Sequence, residues 1–124
     1  MIDKVYIQSL WANKILDGIK SIETRHFGLP LKYWGVPLYM QTENGFIIGQ
    51  VRFSSSFKYD TVEDFDRDFE YHKVDRNSSF HFTKRVRTCG WNIEWFRRLN
   101  QPKLAKPFKG RFPLQLATDT LHPI

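Results

Sequence analysis

The chain has 124 residues, of which 26% are charged and 16% are aromatic, and its formal net charge is +6. This length predicts one domain with a core of modest size. A membrane-spanning helix is excluded because the sequence has no long uncharged apolar run, and an internal disulfide is excluded because Cys89 is the single cysteine. The N-terminal residues carry charges where a signal peptide needs an apolar segment, so we expect a protein of the reducing cytoplasm.

The first predicted elements are a short strand over residues 4–8 and a helix over residues 10–17. Apolar residues recur at helical spacing on one face of this helix: Trp11, Ala12, Ile15, Leu16 and Ile19. Ser9 is the predicted N-cap, because its hydroxyl can accept a hydrogen bond from a free amide of the first turn. Gly18 fits the left-handed position that follows many helix ends.

A charged strand follows the helix directly. From Lys20 the hydrophobic pattern changes to a period of two, which places Glu23 and Arg25 on the same face of the strand. Their side chains are then close enough to pair with each other or with a ligand. Three charged residues at the beginning of a strand therefore predict a polar cleft where the helix meets the sheet.

The middle of the chain predicts a β-hairpin and then an acidic helix. Strands are expected over residues 37–42 and 46–53, and Asn44 and Gly45 between them both tolerate a positive φ. The helix begins after Thr61, an N-cap that is followed by acidic residues in the first turn. Its inner face is predicted to carry three apolar side chains: Val62, Phe65 and Phe69.

The last third of the chain predicts a long strand over residues 88–99 and a final strand from Phe112 to Leu116. The elements together indicate an α+β domain over residues 1–117, in which about six strands form a small β-barrel flanked by two or more short helices. Residues 118–124 are expected to be a C-terminal tail.

Charge is distributed unevenly along the sequence. Seven acidic residues and two basic ones lie between Asp60 and Asp75, whereas nine basic residues and one acid lie between Lys84 and Arg111. The basic segment also contains five aromatic residues: Trp91, Trp95, Phe96, Phe108 and Phe112. Cations bind phosphates and aromatic rings stack on bases, so this composition favours single-stranded nucleic acid as a partner. The alternative is a solvated basic surface over an aromatic core.

The run from Gly18 to Arg25 resembles the marker of the ASCH family, which belongs to the PUA-like superfamily. The family pattern is an apolar helix followed by Gly-x-Lys-x-x-Glu-x-Arg, and this chain reads Gly-Ile-Lys-Ser-Ile-Glu-Thr-Arg. Three later segments resemble the family's central hairpin, its tryptophan strand with a following proline, and its closing Lys-Gly segment: residues 48–51, 90–102 and 109–112. The resemblance implies a PUA-like β-barrel whose cleft is lined by the Lys-Glu-Arg strand.

The same resemblance implies RNA, a nucleoside or a nucleotide as the ligand. In the leading interpretation the chain binds this ligand without catalysis, through six residues: Lys20, Arg25, Arg52, Trp11, Lys109 and Arg111. For Arg25 the alternative to phosphate recognition is a structural brace, and for Trp11 the alternative to stacking is a place in the core. No cofactor is expected, and no metal, because the four histidines lack the spacing of a metal site.

Two alternatives to a binding module remain open. One is a hydrolase, since some ASCH proteins are ribonucleases and a small branch hydrolyses N4-acetylcytidine. In RNA cleavage Glu23 would accept the 2′-hydroxyl proton, while Lys20 and Arg25 would stabilise the phosphorane. The N4-acetylcytidine branch combines a lysine nucleophile, a threonine three residues later and a distant glutamate. Glu23 replaces that threonine here, which argues against this chemistry, and Glu70 is the candidate for the distant glutamate. The other alternative is a protein-interaction module that uses the acidic helix of residues 60–72.

Overall fold

The computed structural model of the chain describes residues 2–83, 86–107, 114–117 and 122–123. Its elements in chain order are β1 (Ile2–Tyr6), α1 (Ser9–Leu16), β2 (Ile22–Arg25), a 3-10 helix (Leu31–Tyr33), β3 (Pro37–Gln41), β4 (Phe46–Tyr59), α2 (Val62–Arg67), α3 (Phe69–His72), β5 (Thr88–Leu104), β6 (Leu114–Ala117) and β7 (His122–Pro123). The predicted α+β class is confirmed.

The strands form one sheet in the order β2-β5-β4-β3-β1-β6, and β7 pairs with β5 outside this path. All described pairings are antiparallel except the parallel pair of β1 and β3. The two longest strands, β4 and β5, pair along most of their length and shift register at several bulges. Because bulges bend strands and increase their twist, the sheet curls into a half-barrel.

Helix α1 packs closely against the sheet at Gly49. A Cβ atom at this position would lie 2.7 Å from the Leu16 side chain and 2.8 Å from the Arg97 carbonyl oxygen, so only glycine allows this approach. The inner face of α1 buries Ala12 and Ile15 in the main core. After the helix, Gly18 has a φ of 76°, the left-handed conformation that its position predicts.

The predicted N-cap of α1 is wrong. Gln8 precedes the helix without a side-chain cap, and Ser9 is the first helical residue. The backbone amide and the hydroxyl of Ser9 instead donate to the Glu43 carboxylate, at 2.9 and 3.3 Å. These bonds lower the pKa of Glu43. A negative charge from the distant hairpin turn therefore satisfies the helix N-terminus, where a local serine was expected to do so.

The acidic segment also differs from its prediction in one respect. Thr61 does cap α2, because its hydroxyl oxygen accepts a hydrogen bond from the Asp64 amide at 3.1 Å. The helix ends at Arg67, however, and α3 begins at Phe69 after a break. Phe65 is fully buried as predicted, whereas Phe69 is 44% exposed, since the break removes it from the inner face.

Strands β4 and β5 are longer than predicted. Strand β4 continues to Tyr59, and β5 continues past Pro102 because the pairing with β4 skips residues 99–102 at a bulge. Within the segment that we expected to be a tail, the two residues of β7 pair with Lys103 and Leu104.

Candidate ligand-binding cleft

A cavity of about 250 Å³ opens between α1, β2 and the segment that follows α3. Its wall contains both aromatic and polar side chains. Its lining comprises Tyr6, Gln8, Trp11, Lys20, Glu23, Thr24, Arg25, His26, Phe27, Phe80 and Thr88. Four residues that the sequence singled out therefore lie together in one cleft: Trp11, Lys20, Glu23 and Arg25.

Lys20 lies between Gly18 and β2, and only 2% of this residue is exposed to solvent. The ammonium group donates a hydrogen bond to the backbone carbonyl of His72, the last residue of α3. Its Nζ is also 3.7 Å from Oε1 of Glu23 and 4.8 Å from the centroid of the Trp11 ring. The carbonyl end of a helix, a carboxylate and an aromatic face all attract a cation, so the site holds the amine in place.

Burial lowers the pKa of the Lys20 amine from 10.5 to about 8. Desolvation is the largest cause, and the neighbouring charge of Arg25 acts in the same direction. The carboxylate of Glu23 opposes both effects because it stabilises the charged amine. Lysines that act as nucleophiles or transfer protons are often buried and have a similarly lowered pKa.

The buried Glu23 and the partly buried Arg25 form an ion pair on β2. The Nε and Nη2 atoms of Arg25 both lie 3.0 Å from Oε2 of Glu23, and Nη2 also donates to the Tyr6 carbonyl of β1. The guanidinium carbon is 5.2 Å from the ring centroid of Trp91, which is fully buried in the core. Arg25 thus connects three strands, which is the geometry of the brace considered above.

The two oxygens of Glu23 have different surroundings. Oε2 accepts from Arg25, whereas Oε1 accepts no hydrogen bond from any residue that the structure describes. Because a carboxylate oxygen can accept two hydrogen bonds, Oε1 has unused accepting capacity, and the buried hydroxyl of Thr88 in the same lining also has no hydrogen-bond partner among the described residues.

Trp11 belongs both to the wall of the cleft and to the packing beneath it. Its side chain is half-buried against the main core and against a second core cluster around Phe65. The ring of Phe80 meets it edge to face, with the centroids 5.9 Å apart. Phe27 also belongs to the lining and meets Trp91 edge to face at 5.6 Å. The cleft therefore offers aromatic surface on which a planar ring can stack.

No protein-family model and no curated protein matches the sequence. Similar solved structures are those of an ASCH protein from Zymomonas mobilis, which is 13% identical, with a TM-score of 0.67 over 81% of this chain and 71% of that one. A serine-to-alanine mutant of that protein is also 13% identical, with a TM-score of 0.66 over 81% of this chain and 71% of that one. A tyrosine-to-phenylalanine mutant is 15% identical, with a TM-score of 0.60 over 82% of this chain and 71% of that one. The chain has the fold of an ASCH domain.

Two further residues of the predicted site, one expected to assist through contacts to the nucleic-acid backbone and one a candidate catalytic glutamate, lie outside this cleft. Arg52 is not part of the lining and forms an ion pair with Glu94, with 2.9 Å between Nε and Oε1. Glu70 is exposed on α3 and does not line the cavity either. Lys109 and Arg111 lie outside the described residues.

Two features of the cleft were not predicted from the sequence. One is the carbonyl of His72, which holds the Lys20 amine from 52 positions along the chain. The other is Phe80, which no local pattern connects to Trp11. Among the described residues, no group of three or more His, Cys, Asp or Glu side chains could hold a metal ion. No helix in the same part of the chain is long and apolar enough to cross a membrane.

Proposed function

We propose that this ASCH domain binds RNA or a nucleotide-like ligand by holding one nucleobase in the cleft. The observation that carries the proposal is the position of the buried Lys20–Glu23 pair beside the half-buried ring of Trp11. The volume of about 250 Å³ is slightly below the range of roughly 300–1,000 Å³ found for drug-sized ligands, so it suits a single base or nucleoside.

The polar pair supplies a hydrogen-bond donor next to an acceptor. Oε1 of Glu23 can accept from an exocyclic amino group, and the ammonium of Lys20 can donate to a neighbouring ring nitrogen or carbonyl. A base edge that carries an amino group beside an acceptor, as in cytosine, complements this pattern. Arg25 then acts as a positioning residue, because it fixes the Glu23 carboxylate from the other side.

Aromatic stacking accounts for the remaining contacts. Every base has a π-face, and stacking on an aromatic side chain contributes about 1–3 kcal/mol for each base. Trp11 presents its ring to the cavity next to Phe80. The net charge of +6 attracts a polyanion at longer range, so the affinity for RNA should fall as salt concentration rises.

Calorimetric titration with cytidine and uridine monophosphates tests this proposal. We expect the wild-type protein to bind the cytidine form more tightly, and Glu23→Gln to lose about tenfold in affinity for it, because a hydrogen bond to a charged acceptor contributes about 1.5–3 kcal/mol. Trp11→Leu should weaken both nucleotides about equally. Glu63→Gln is the matched control, since Glu63 is an exposed residue of α2 that does not line the cleft. Equal affinities of wild type and Glu23→Gln for the cytidine form would contradict the proposal.

A hydrolase that uses the same cleft is the second candidate, and the lowered pKa of Lys20 is the observation that favours it. At pH 8 about half of the Lys20 amines are neutral and can act as nucleophile or base. Incubation with N4-acetylcytidine or with a short RNA, followed by chromatography, separates the two candidates. A binding module retains its ligand without product, whereas an enzyme yields product that is lost in Lys20→Met.

A further inference from the structure

A second surface with the chemistry of a nucleic-acid site lies on the outer face of β3, β4 and β5. Arg52 points outwards from β4 between two fully buried core residues, and its side chain is 37% exposed. The register places Trp95 of β5 opposite Arg52, and Arg97 of β5 opposite Gln50. On the other side of β4, Tyr39 of β3 lies opposite Gln50. Residues opposite each other in an antiparallel pair share a face, so these side chains form one surface.

A β-bulge is what brings Trp95 to this surface. Strand β5 has one residue more than β4 at Glu94, between the partner of Arg52 and the partner of Phe53. One extra residue reverses the face that the following side chains occupy. Trp95 therefore lies outside with Arg52, although Trp91, four positions earlier in the same strand, is fully buried in the core.

Aromatic rings and guanidinium groups alternate on this surface. The guanidinium carbon of Arg52 is 5.4 Å from the ring centroid of Trp95, and the Nε of the same arginine donates to Glu94. Arg97 is exposed, and its Nε and Nη2 both donate to the amide oxygen of Gln50, which is neutral. No carboxylate pairs with Arg97 within the described ranges, so its positive charge is uncompensated.

We propose that Tyr39, Arg52, Trp95 and Arg97, here called the outer sheet patch, bind single-stranded nucleic acid. The two rings stack on bases and the two guanidinium groups contact phosphates, which is the combination that such proteins use. Neighbouring strands are about 4.8 Å apart, so β3 and β5 are separated by about 10 Å and one strand of nucleic acid can reach both rings. The inference extends the proposed function from a single nucleotide to a longer strand, and it does not require that the cleft be occupied.

Fluorescence anisotropy with a labelled oligouridine of about ten nucleotides tests the outer sheet patch. We expect Trp95→Leu, which keeps an apolar side chain but removes the stacking ring, to weaken binding about tenfold. Arg97→Gln should reduce the slope of log affinity against log salt by about 0.7, the contribution of one phosphate contact on a single strand. Arg67→Gln is the matched control, because Arg67 is an exposed arginine on α2, where it pairs with Asp64.

The outcomes separate this inference from the proposed function. Loss of oligouridine affinity in Trp95→Leu, with unchanged binding of cytidine monophosphate, supports the patch. If wild type binds the oligouridine through Trp95 and Arg97 but binds no mononucleotide, the cleft proposal fails and the patch stands. If wild type does not bind the oligouridine, or if Arg97→Gln and Arg67→Gln have the same salt slope, the patch is overturned. Circular dichroism of each variant verifies that the sheet is intact.

Discussion

Replacing Lys20 with methionine gives a quantitative test of the buried amine, because methionine has a similar length and carries no charge. The pKa of Lys20 in the folded protein is about 8, against 10.5 in an exposed lysine. A difference of one pKa unit between the folded and unfolded states corresponds to about 1.4 kcal/mol of stability. Through the burial of this amine, the free energy of unfolding changes by about 3 kcal/mol between pH 8 and pH 10.5.

The sign of the effect follows from where the proton resides. Between pH 8 and pH 10.5 the unfolded chain keeps a proton on Lys20 that the folded protein has released. Stability from this group therefore rises with pH across the window, and it is lost as pH falls towards 8. Burial also raises the pKa values of Tyr33 and Tyr59, which lowers stability above pH 10. Wild type and Lys20→Met share those tyrosines, so their contribution cancels in the difference.

Urea unfolding followed by tryptophan fluorescence, at several values between pH 7 and pH 10.5, measures this difference. We expect the free energy of unfolding of wild type, relative to Lys20→Met, to increase by about 3 kcal/mol from pH 8 to pH 10.5. Lys58→Met is the control, because the side chain of Lys58 is 61% exposed and its variant should follow wild type throughout. Parallel pH curves for wild type and Lys20→Met would refute the reasoning that burial lowers this pKa.

Three further predictions concern the fold that supports the cleft. Burial lowers the pKa of the fully buried His72, so the folded protein resists protonation of this ring and loses stability as pH falls below about 6.5. The melting temperature should therefore fall below this pH in the wild type and in a His26→Gln control, whose residue is exposed, and it should fall less in His72→Gln. Gly49→Ala should destabilise the domain by about 1–3 kcal/mol in urea unfolding, because the added methyl group would overlap Leu16; unchanged stability would mean that α1 does not pack so closely. Thr61→Ala should lower the free energy of unfolding by about 1 kcal/mol, measured in the same way, because the α2 cap is lost. Thr61→Ser keeps the capping hydroxyl and should retain most of the wild-type stability.

Much of the cleft could be predicted from the sequence because its main residues are close together in the chain. The period of two after Gly18 predicted that Glu23 and Arg25 share a face, and they lie in contact at 3.0 Å on β2. The apolar spacing around Trp11 predicted α1 in nearly its observed bounds. The hairpin at Gly45, with a φ of 88°, and the cap at Thr61 were likewise visible, because turns and caps are chosen by the conformational preferences of single residues.

The remaining features depend on contacts between distant segments, and no local pattern encodes them. The first amide of α1, that of Ser9, donates to the Glu43 carboxylate, since the fold brings the hairpin turn to the helix N-terminus. The outward position of Trp95 depends on a bulge in the pairing of β4 with β5.

The sequence by itself therefore determined the type of most elements and the local charge pattern of the cleft, because periodicity and capping act over a few residues. Only the tertiary structure decided the environment of those charges. The carbonyl of His72 on the distant α3 accepts a hydrogen bond from the Lys20 amine, and the ring of Trp11 lies 4.8 Å from it. This amine is buried for that reason, and desolvation, which lowers its pKa, is a property of the packed chain and not of the residue.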